Sequence, residues 1–425
     1  MKILRYGDRG AQVAFLQTAL ARAGYDPGAA DGIFGARTRA AVMAFQRSAG
    51  LTPDGIAGPR THRALEMWYL GYAIHTVRAG DTLFSIARRF GITLRAVEIA
   101  NPDLDPTNLR VGSRVRVPLP FPVVPEGIPI GSGALDYIVR GIAGRYPFVA
   151  LDSIGRSVMG KPLHRLRLGS GARTVLYNAA HHANEWITVP VLLRFAEELS
   201  RAYAYDTPIF GVSAGKILET ATIHLVPCVD PDGVDLVVGD LSSGPEYDTA
   251  RRLAQNYPEI AFPQGWKANI RGVDLNLQYP AGWEEARRIK FEQGYTRPGP
   301  RDYVGEYALS EPESRAMYDL TRRLSPAMIL AYHTQGEVIF WRFLDFDPPG
   351  ARELGERFSE VSGYALEDTP YASGYAGYKD WFIQDFNRPG YTIEAGEGTN
   401  PLPIGQFGQI YADNLGILVS GALGE

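Results

Sequence analysis

The stretch that most constrains the fold of this chain runs from Thr174 to Leu199. Thr174-Val175-Leu176-Tyr177 is β-branched and aromatic, which reads as a short strand. Beyond Glu185, the residues Val191, Leu192, Phe195, Ala196 and Leu199 recur at helical spacing, so a helix begins near Ile187. A strand that turns directly into an amphipathic helix is the building unit of an α/β sheet. Further strand and helix candidates follow at 221–229, 311–324, 327–333, 350–361 and 390–395. The alternation predicts a sheet covered by helices from Ala134 onward. The polar, aromatic-rich stretches 238–310 and 364–380 are expected as loops framing a cleft.

The turn between that strand and helix holds His182 and Glu185, three residues apart. An imidazole and a carboxylate at such a turn can converge on one point, and both are good zinc ligands with bonds of about 2 Å. A third ligand must come from elsewhere. His333 is the best candidate, because it ends the apolar run Ala327 to Tyr332, again at the tip of a strand. Asp230-Pro231-Asp232-Gly233, Gly272-Val273-Asp274-Leu275-Asn276 and Tyr391-Thr392-Ile393-Glu394 follow along the chain. With these motifs in this order, Ala134 to Glu425 resembles the zinc carboxypeptidase family.

The resemblance implies a mixed sheet covered by helices and one Zn2+ held by His182, Glu185 and His333, with His182 preferred over its neighbour His181. It implies Glu394 as general base, with Glu397 the competitor. The family stabilises the reaction's oxyanion with an arginine after a tryptophan. Here Lys267 follows Trp266, with Arg271 the alternative. Tyr371 corresponds to the family's mobile tyrosine, and Tyr375 and Tyr378 remain alternatives. Where family exopeptidases carry Asn-Arg to grip a free C-terminal carboxylate, this chain has Asn276-Leu277. Leucine cannot form a charge-assisted bidentate contact. Lys379 is a further cation able to read a substrate charge or to set preference in the leaving-group pocket.

The front of the chain is different. Asp31-Gly32-Ile33-Phe34-Gly35-Ala36-Arg37-Thr38 returns as Asp54-Gly55-Ile56-Ala57-Gly58-Pro59-Arg60-Thr61. Each copy is a glycine turn with a threonine suited to starting a helix. Val13, Leu16 and Leu20 line one helix face, and Ala41, Val42 and Phe45 the next. With Leu4, Gly7, Gly10, Val13 and Leu16-Gln17 at their spacing, residues 1–70 resemble a small all-α peptidoglycan-binding domain. Residues 75–118 begin His75-Thr76-Val77-Arg78-Ala79-Gly80-Asp81-Thr82 and close on the alternating run Leu109 to Pro118. They resemble a LysM module, a βααβ fold that grips N-acetylglucosamine glycans. The proline-rich residues 119–133 read as a semi-extended linker to a peptidase domain at 134–425.

Charge follows this division. Residues 1–73 carry nine Lys+Arg against five Asp+Glu and residues 74–118 seven against four, whereas 119–425 carry 27 against 38. Basic front modules suit a polyanionic surface. The modules point to peptidoglycan, and no nucleic-acid partner is expected. One cysteine, Cys228, excludes an intrachain disulfide, and no stretch is apolar enough to span a bilayer. The N-terminus lacks the apolar core of a signal peptide. The expected setting is the cell wall or spore of a bacterium, with a cytoplasmic or forespore origin. Leu277 and the wall-binding modules point to an endopeptidase that cuts stem peptides at the γ-D-glutamyl-diamino acid bond. The rivals are a carboxypeptidase releasing C-terminal residues and an inactive wall-binding protein.

Overall fold

The computed structural model describes residues 1–425, apart from the side chain of Ala372. The chain divides into two compact units, one of residues 1–151 with 197–207 and one of residues 152–196 with 208–425.

In the first unit the internal repeat is built around two glutamines. Gln17 Nε2 donates to Asp31 Oδ1 (2.9 Å), the Ile33 carbonyl (3.1 Å) and Thr38 Oγ1 (3.1 Å), and its Oε1 accepts from Gly32 N–H (3.0 Å). Gln46 repeats the pattern on Asp54 Oδ1 (2.8 Å), the Ile56 carbonyl (3.0 Å), Thr61 Oγ1 (3.1 Å) and Gly55 N–H (3.0 Å). The threonines therefore do not cap their helices, contrary to expectation. The caps of Ala36–Ser48 and Pro59–Ala64 are Gly35 and Gly58. Each threonine hydroxyl lies one turn further in, where a buried glutamine amide needs an acceptor.

The LysM-like module pairs β1 (Tyr72–Thr76) antiparallel with β2 (Arg114–Pro118), with helices Leu83–Arg89 and Leu94–Ala100 between them. Val77, Leu83, Ile86, Val97, Val115 and Val117 form its core. Asn101 fastens the loop after the second helix to β2, donating to the Arg116 carbonyl (2.7 Å) and accepting from Arg116 N–H (2.8 Å).

Residues 119–133 form no helix or strand before Ser132, but they are not a free spacer. Val123, Val124, Ile128 and Ile130 are buried. The Glu197 carboxylate accepts from Val123 N–H (2.6 Å) and Val124 N–H (2.9 Å), and Arg145 donates to the Phe121 carbonyl (2.6 Å). Proline content suggested an extended segment, but the apolar residues between the prolines have a surface to bury against. Helix Ser132–Arg145 packs in the same unit, with Tyr137 5.0 Å from the Tyr69 ring.

The second unit is organised by one mixed sheet. Its strands are β3 (Ala150–Arg156), β4 (Pro162–Leu168), β5 (Arg173–Ala179), β6 (Ala221–Val226), β7 (Met328–His333), β8 (Val338–Phe340), β9 (Ala365–Glu367) and β10 (Gly390–Glu394). They lie in the order β9-β8-β10-β7-β5-β6-β4-β3. The central four, β10, β7, β5 and β6, are mutually parallel, while β8 and β4 join them antiparallel. Strands β5 and β7 read as near-continuous apolar runs because both of their faces are covered. Leu176, Ile329, Met317, Leu320, Trp381 and Phe382 share one core cluster. Helix Phe407–Leu423 is tied to β5 by Tyr177, whose hydroxyl donates to the Leu418 carbonyl (3.1 Å).

The stretch 238–310 is more regular than its polarity suggested, since it contains helices Pro245–Ala254 and Trp283–Glu292. Both begin with acidic residues favoured by the helix dipole, and the second is laced by Arg288 to Glu285 (2.7 Å) and Glu292 (2.6 Å). Such helices bury few residues, so few apolar positions mark them in the sequence. The stretch 364–380 holds β9, the short turn Tyr371–Ser373 and the start of helix Tyr378–Phe386.

Candidate metal centre and active site

Parallel strands deliver their C-terminal ends to one edge of a sheet, where α/β proteins place their sites. Here β5 leads into His182 and Glu185, β7 ends on His333, and β10 ends on Glu394. Because β10 pairs in parallel register with β7, Glu394 stands directly beside His333.

Three of these side chains converge. His182 Nδ1 lies 2.9 Å from Glu185 Oε1, His333 Nδ1 lies 2.8 Å from Glu185 Oε2, and the two Nδ1 atoms are 3.1 Å apart. One donor atom from each falls within 4.8 Å of the others, and all three residues are buried. Two nitrogens and a carboxylate, buried and aimed at one point, fit a divalent cation. Two histidines and a carboxylate are a catalytic zinc donor set with a position left open. His181 is not part of the cluster, since its Nε2 is 2.9 Å from the Tyr279 hydroxyl.

The surroundings fix the donors. Asp274 Oδ1 is 3.1 Å from His182 Nε2, the nitrogen turned away from the cluster. A carboxylate there sets the tautomer and orientation of the ring. Asp274 is itself held, receiving the Asp302 N–H on Oδ2 (3.3 Å) and giving its own N–H to the Tyr303 carbonyl (2.8 Å). Burial acts to lower the His182 pKa, but Glu185 and Asp274 outweigh it and raise the pKa to about 9. Burial pushes Glu394 up to about 8, helped by the charge of Glu185 and opposed by Lys267 and His182. A carboxyl with a pKa near neutrality suits a group that must both accept and return a proton.

Lys267 reaches the same point, with Nζ 3.2 Å from Glu185 Oε1. Its main chain braces the ligand turn, because Ala183 N–H donates to the Lys267 carbonyl (3.0 Å) and Lys267 N–H donates to the Pro300 carbonyl (2.7 Å). The carboxylates of Glu185 and Asp274 overcome burial and hold the ammonium pKa above its ordinary value. Arg271, by contrast, is largely exposed and faces Glu311 (3.5 Å). Glu397 is exposed in the loop after β10, its backbone bonded to the Gln406 side chain.

Other expected residues are distributed differently. Asn276 Oδ1 accepts from Tyr378 N–H (2.9 Å). Leu277 packs in an apolar cluster with Trp283, Ala286, Val304 and Ala376, so its side chain serves the core. Lys379 also departs from expectation. Its buried ammonium is ringed by the Arg342 carbonyl (2.7 Å), Thr369 Oγ1 (2.7 Å) and Asp380 Oδ1 (2.5 Å), which occupy its three donors. Of the tyrosines, Tyr378 is buried with its hydroxyl 2.7 Å from Thr321 Oγ1, and Tyr375 is partly buried and packs against the Leu277 cluster. Tyr371 is 60% exposed and donates to Glu285 Oε1 (2.7 Å). Asp274 lies in the Gly272-Val273-Asp274 motif, but no role for it follows from the sequence alone. A buried aspartate in a motif close to a histidine ligand was the available signal.

Comparison with known proteins agrees with this geometry. The profile of the peptidoglycan-binding domain matches residues 9–65 and that of the LysM domain residues 75–118, which indicates glycan binding by both modules. Gamma-D-glutamyl-L-diamino acid endopeptidase 1 of Lysinibacillus sphaericus is 46% identical over 286 residues, covering 67% of this chain and 69% of its own. Murein peptide amidase A of Escherichia coli (strain K12) is 29% identical over 227 residues, covering 52% of this chain and 71% of its own. Among solved structures, bovine thrombin-activatable fibrinolysis inhibitor shares the fold with a TM-score of 0.52 at 16% identity, covering 69% of this chain and 96% of its own. The zinc carboxypeptidase profile spans residues 136–415 and so takes in every strand that carries the centre. On that match the chain belongs to the zinc carboxypeptidase family and is a zinc metallopeptidase.

Proposed function

We propose that this enzyme hydrolyses the amide bond between γ-linked D-glutamate and the diamino acid of peptidoglycan stem peptides, at the cell wall or spore envelope. The observation that carries the reading is Leu277, buried among Trp283, Ala286, Val304 and Ala376. Position 277 therefore supplies no guanidinium, and a free terminal carboxylate bound in the site would lose its hydration with no cation from this position in return. The substrate need not end at the residue released. The similarity to a gamma-D-glutamyl-L-diamino acid endopeptidase and the two wall-binding modules support the same substrate.

His182, Glu185 and His333 hold the zinc in this reading, and Asp274 keeps His182 in the tautomer that presents Nδ1. Zinc, when bound, supplies Lewis acidity to a scissile carbonyl and to an attacking water. Glu394 takes the proton released as water attacks and returns it to the departing amine. Lys267, beside Glu185, offsets the charge that grows on the carbonyl oxygen, as a point charge in place of a guanidinium fork. In this reading Tyr371 covers bound substrate, and Asn276 holds the peptide beyond the scissile bond. Arg271, the exposed cation of the candidate set, reads the α-carboxylate of D-glutamate.

The test uses L-Ala-γ-D-Glu-diaminopimelate, the same peptide extended by D-Ala, and a blocked peptide ending in an ordinary dipeptide, with products identified by mass spectrometry. Cleavage of the γ-glutamyl bond in both stem peptides is expected. Release of ordinary C-terminal residues alone would make the enzyme a carboxypeptidase, and no cleavage of any of them with zinc bound would leave it a wall-binding protein.

A further inference from the structure

The positive charge of the front modules is not explained by their glycan ligands, because N-acetylglucosamine is neutral. Part of that charge is gathered in one place. A cleft of about 770 Å3 in the first unit is lined by Arg63, Arg114, Arg116 and Arg140, together with Glu66 and Asp103. Arg114 and Arg116 are two residues apart on β2 and therefore share one face of the sheet. Ile74, across from Arg116 on β1, and Met67 contribute apolar surface between the charges.

Three features mark this as a built site. Among the described residues, Arg63, Arg114 and Arg116 form no ion pair, whereas Arg140 is held by Asp136 (2.8 Å). Three guanidinium groups around one cleft repel each other unless an anion enters. The wall of the cleft is also rigid, since Asn101 bonds both the N–H and the carbonyl of Arg116 and so sets the loop bearing Asp103 against β2. Finally, the lining is mixed in sign. Glu66 and Asp103 would repel a uniformly charged phosphate chain, yet they complement a ligand carrying an ammonium group as well as carboxylates.

We propose that this cleft is a third wall-binding site, one that takes the peptide stem of peptidoglycan and not its sugar. Arg63, Arg114 and Arg116 receive carboxylates of the stem, and Glu66 and Asp103 receive the free amine of its diamino acid. The modules would then recognise a strand that still bears peptides, which is the form a stem-cutting peptidase needs. The site is separate from the metal centre and does not depend on which bond that centre cleaves.

The experiment measures sedimentation of the full-length protein with insoluble peptidoglycan at several salt concentrations, with Glu394→Gln in every sample so that the wall stays intact. The peptidoglycan is stripped of phosphate polymers and used either with its stem peptides or after their enzymatic removal. Arg114→Ala/Arg116→Ala should weaken binding to peptide-bearing wall by about tenfold, as expected for loss of charge-assisted contacts. Binding to bare glycan should not change, and neither should the melting temperature. The control Arg47→Ala/Arg60→Ala removes two exposed charges of the helical module outside the cleft and should have little effect. Glu66→Gln/Asp103→Asn supplies the sign. It should weaken binding if the cleft reads an ammonium, and strengthen it if the true ligand is a phosphate polymer or nucleic acid. Unchanged binding of the arginine variant, equal loss on bare glycan, or tighter binding by the acidic variant would each overturn the proposal.

Discussion

The two units of this protein place polar groups in their interiors by opposite means. In the helical repeat, Gln17 and Gln46 each fasten a turn and a threonine within 21 residues along the chain. In the catalytic unit, His182 meets Asp274 across 92 positions and His333 across 151. The first kind of network closes as soon as its own helices form. The second exists only after a parallel sheet has brought three strand tips together. A buried polar group must find its partners in either case. What differs is whether local sequence or the whole fold supplies them, and therefore what a single substitution disturbs.

The largest contrast should come from Glu394→Gln. It keeps the shape of the centre but cannot accept a proton, so kcat should fall by about 10² to 10⁴ with zinc content and melting temperature unchanged. The same group sets the pH profile. Glu394 works as a carboxylate, so kcat/KM should decline as pH falls through its pKa. Burial and Glu185 raise that value to about 8 in the metal-free site. A cation draws it down, which places the acid limb of the zinc enzyme below 8. An acid limb that persists in the residual activity of Glu394→Gln would assign it to another group.

A smaller effect is expected from Asp274→Asn, which leaves all three donors in place but loosens the imidazole of His182. Zinc affinity should fall by about 10 to 100-fold, measured by competition with a chelator. Undiminished affinity would mean that the sheet alone orients His182.

Gln17→Leu should have the smallest consequence, and it is confined to the other unit. It strands the Gly32 N–H and the Asp31 and Thr38 side chains, at a cost of about 1 to 3 kcal/mol in the stability of the first unit. Cleavage of a soluble stem peptide should not change. Loss of that cleavage would show that the two kinds of network are coupled.

The sequence alone determined the strand–turn–helix at 174–199, the alternation that makes an α/β sheet, and the repeat of the helical module. All three depend on periodicity and turn chemistry within a few residues. It also pointed to His182, Glu185 and His333, since each ends or follows an apolar run and strand tips are where parallel sheets gather side chains, and the family resemblance added Glu394. Tertiary structure decided the rest. The helices at Pro245–Ala254 and Trp283–Glu292 were hidden because they bury little, and residues 119–133 gave up their extended form because Glu197 and nearby apolar surface receive them. Lys379 and Leu277 looked available to substrate until the fold surrounded one with three oxygens and the other with aromatic and aliphatic carbon. A side chain's chemistry is written in the sequence, but whether its bonding capacity is already occupied depends on neighbours that only the folded chain brings near.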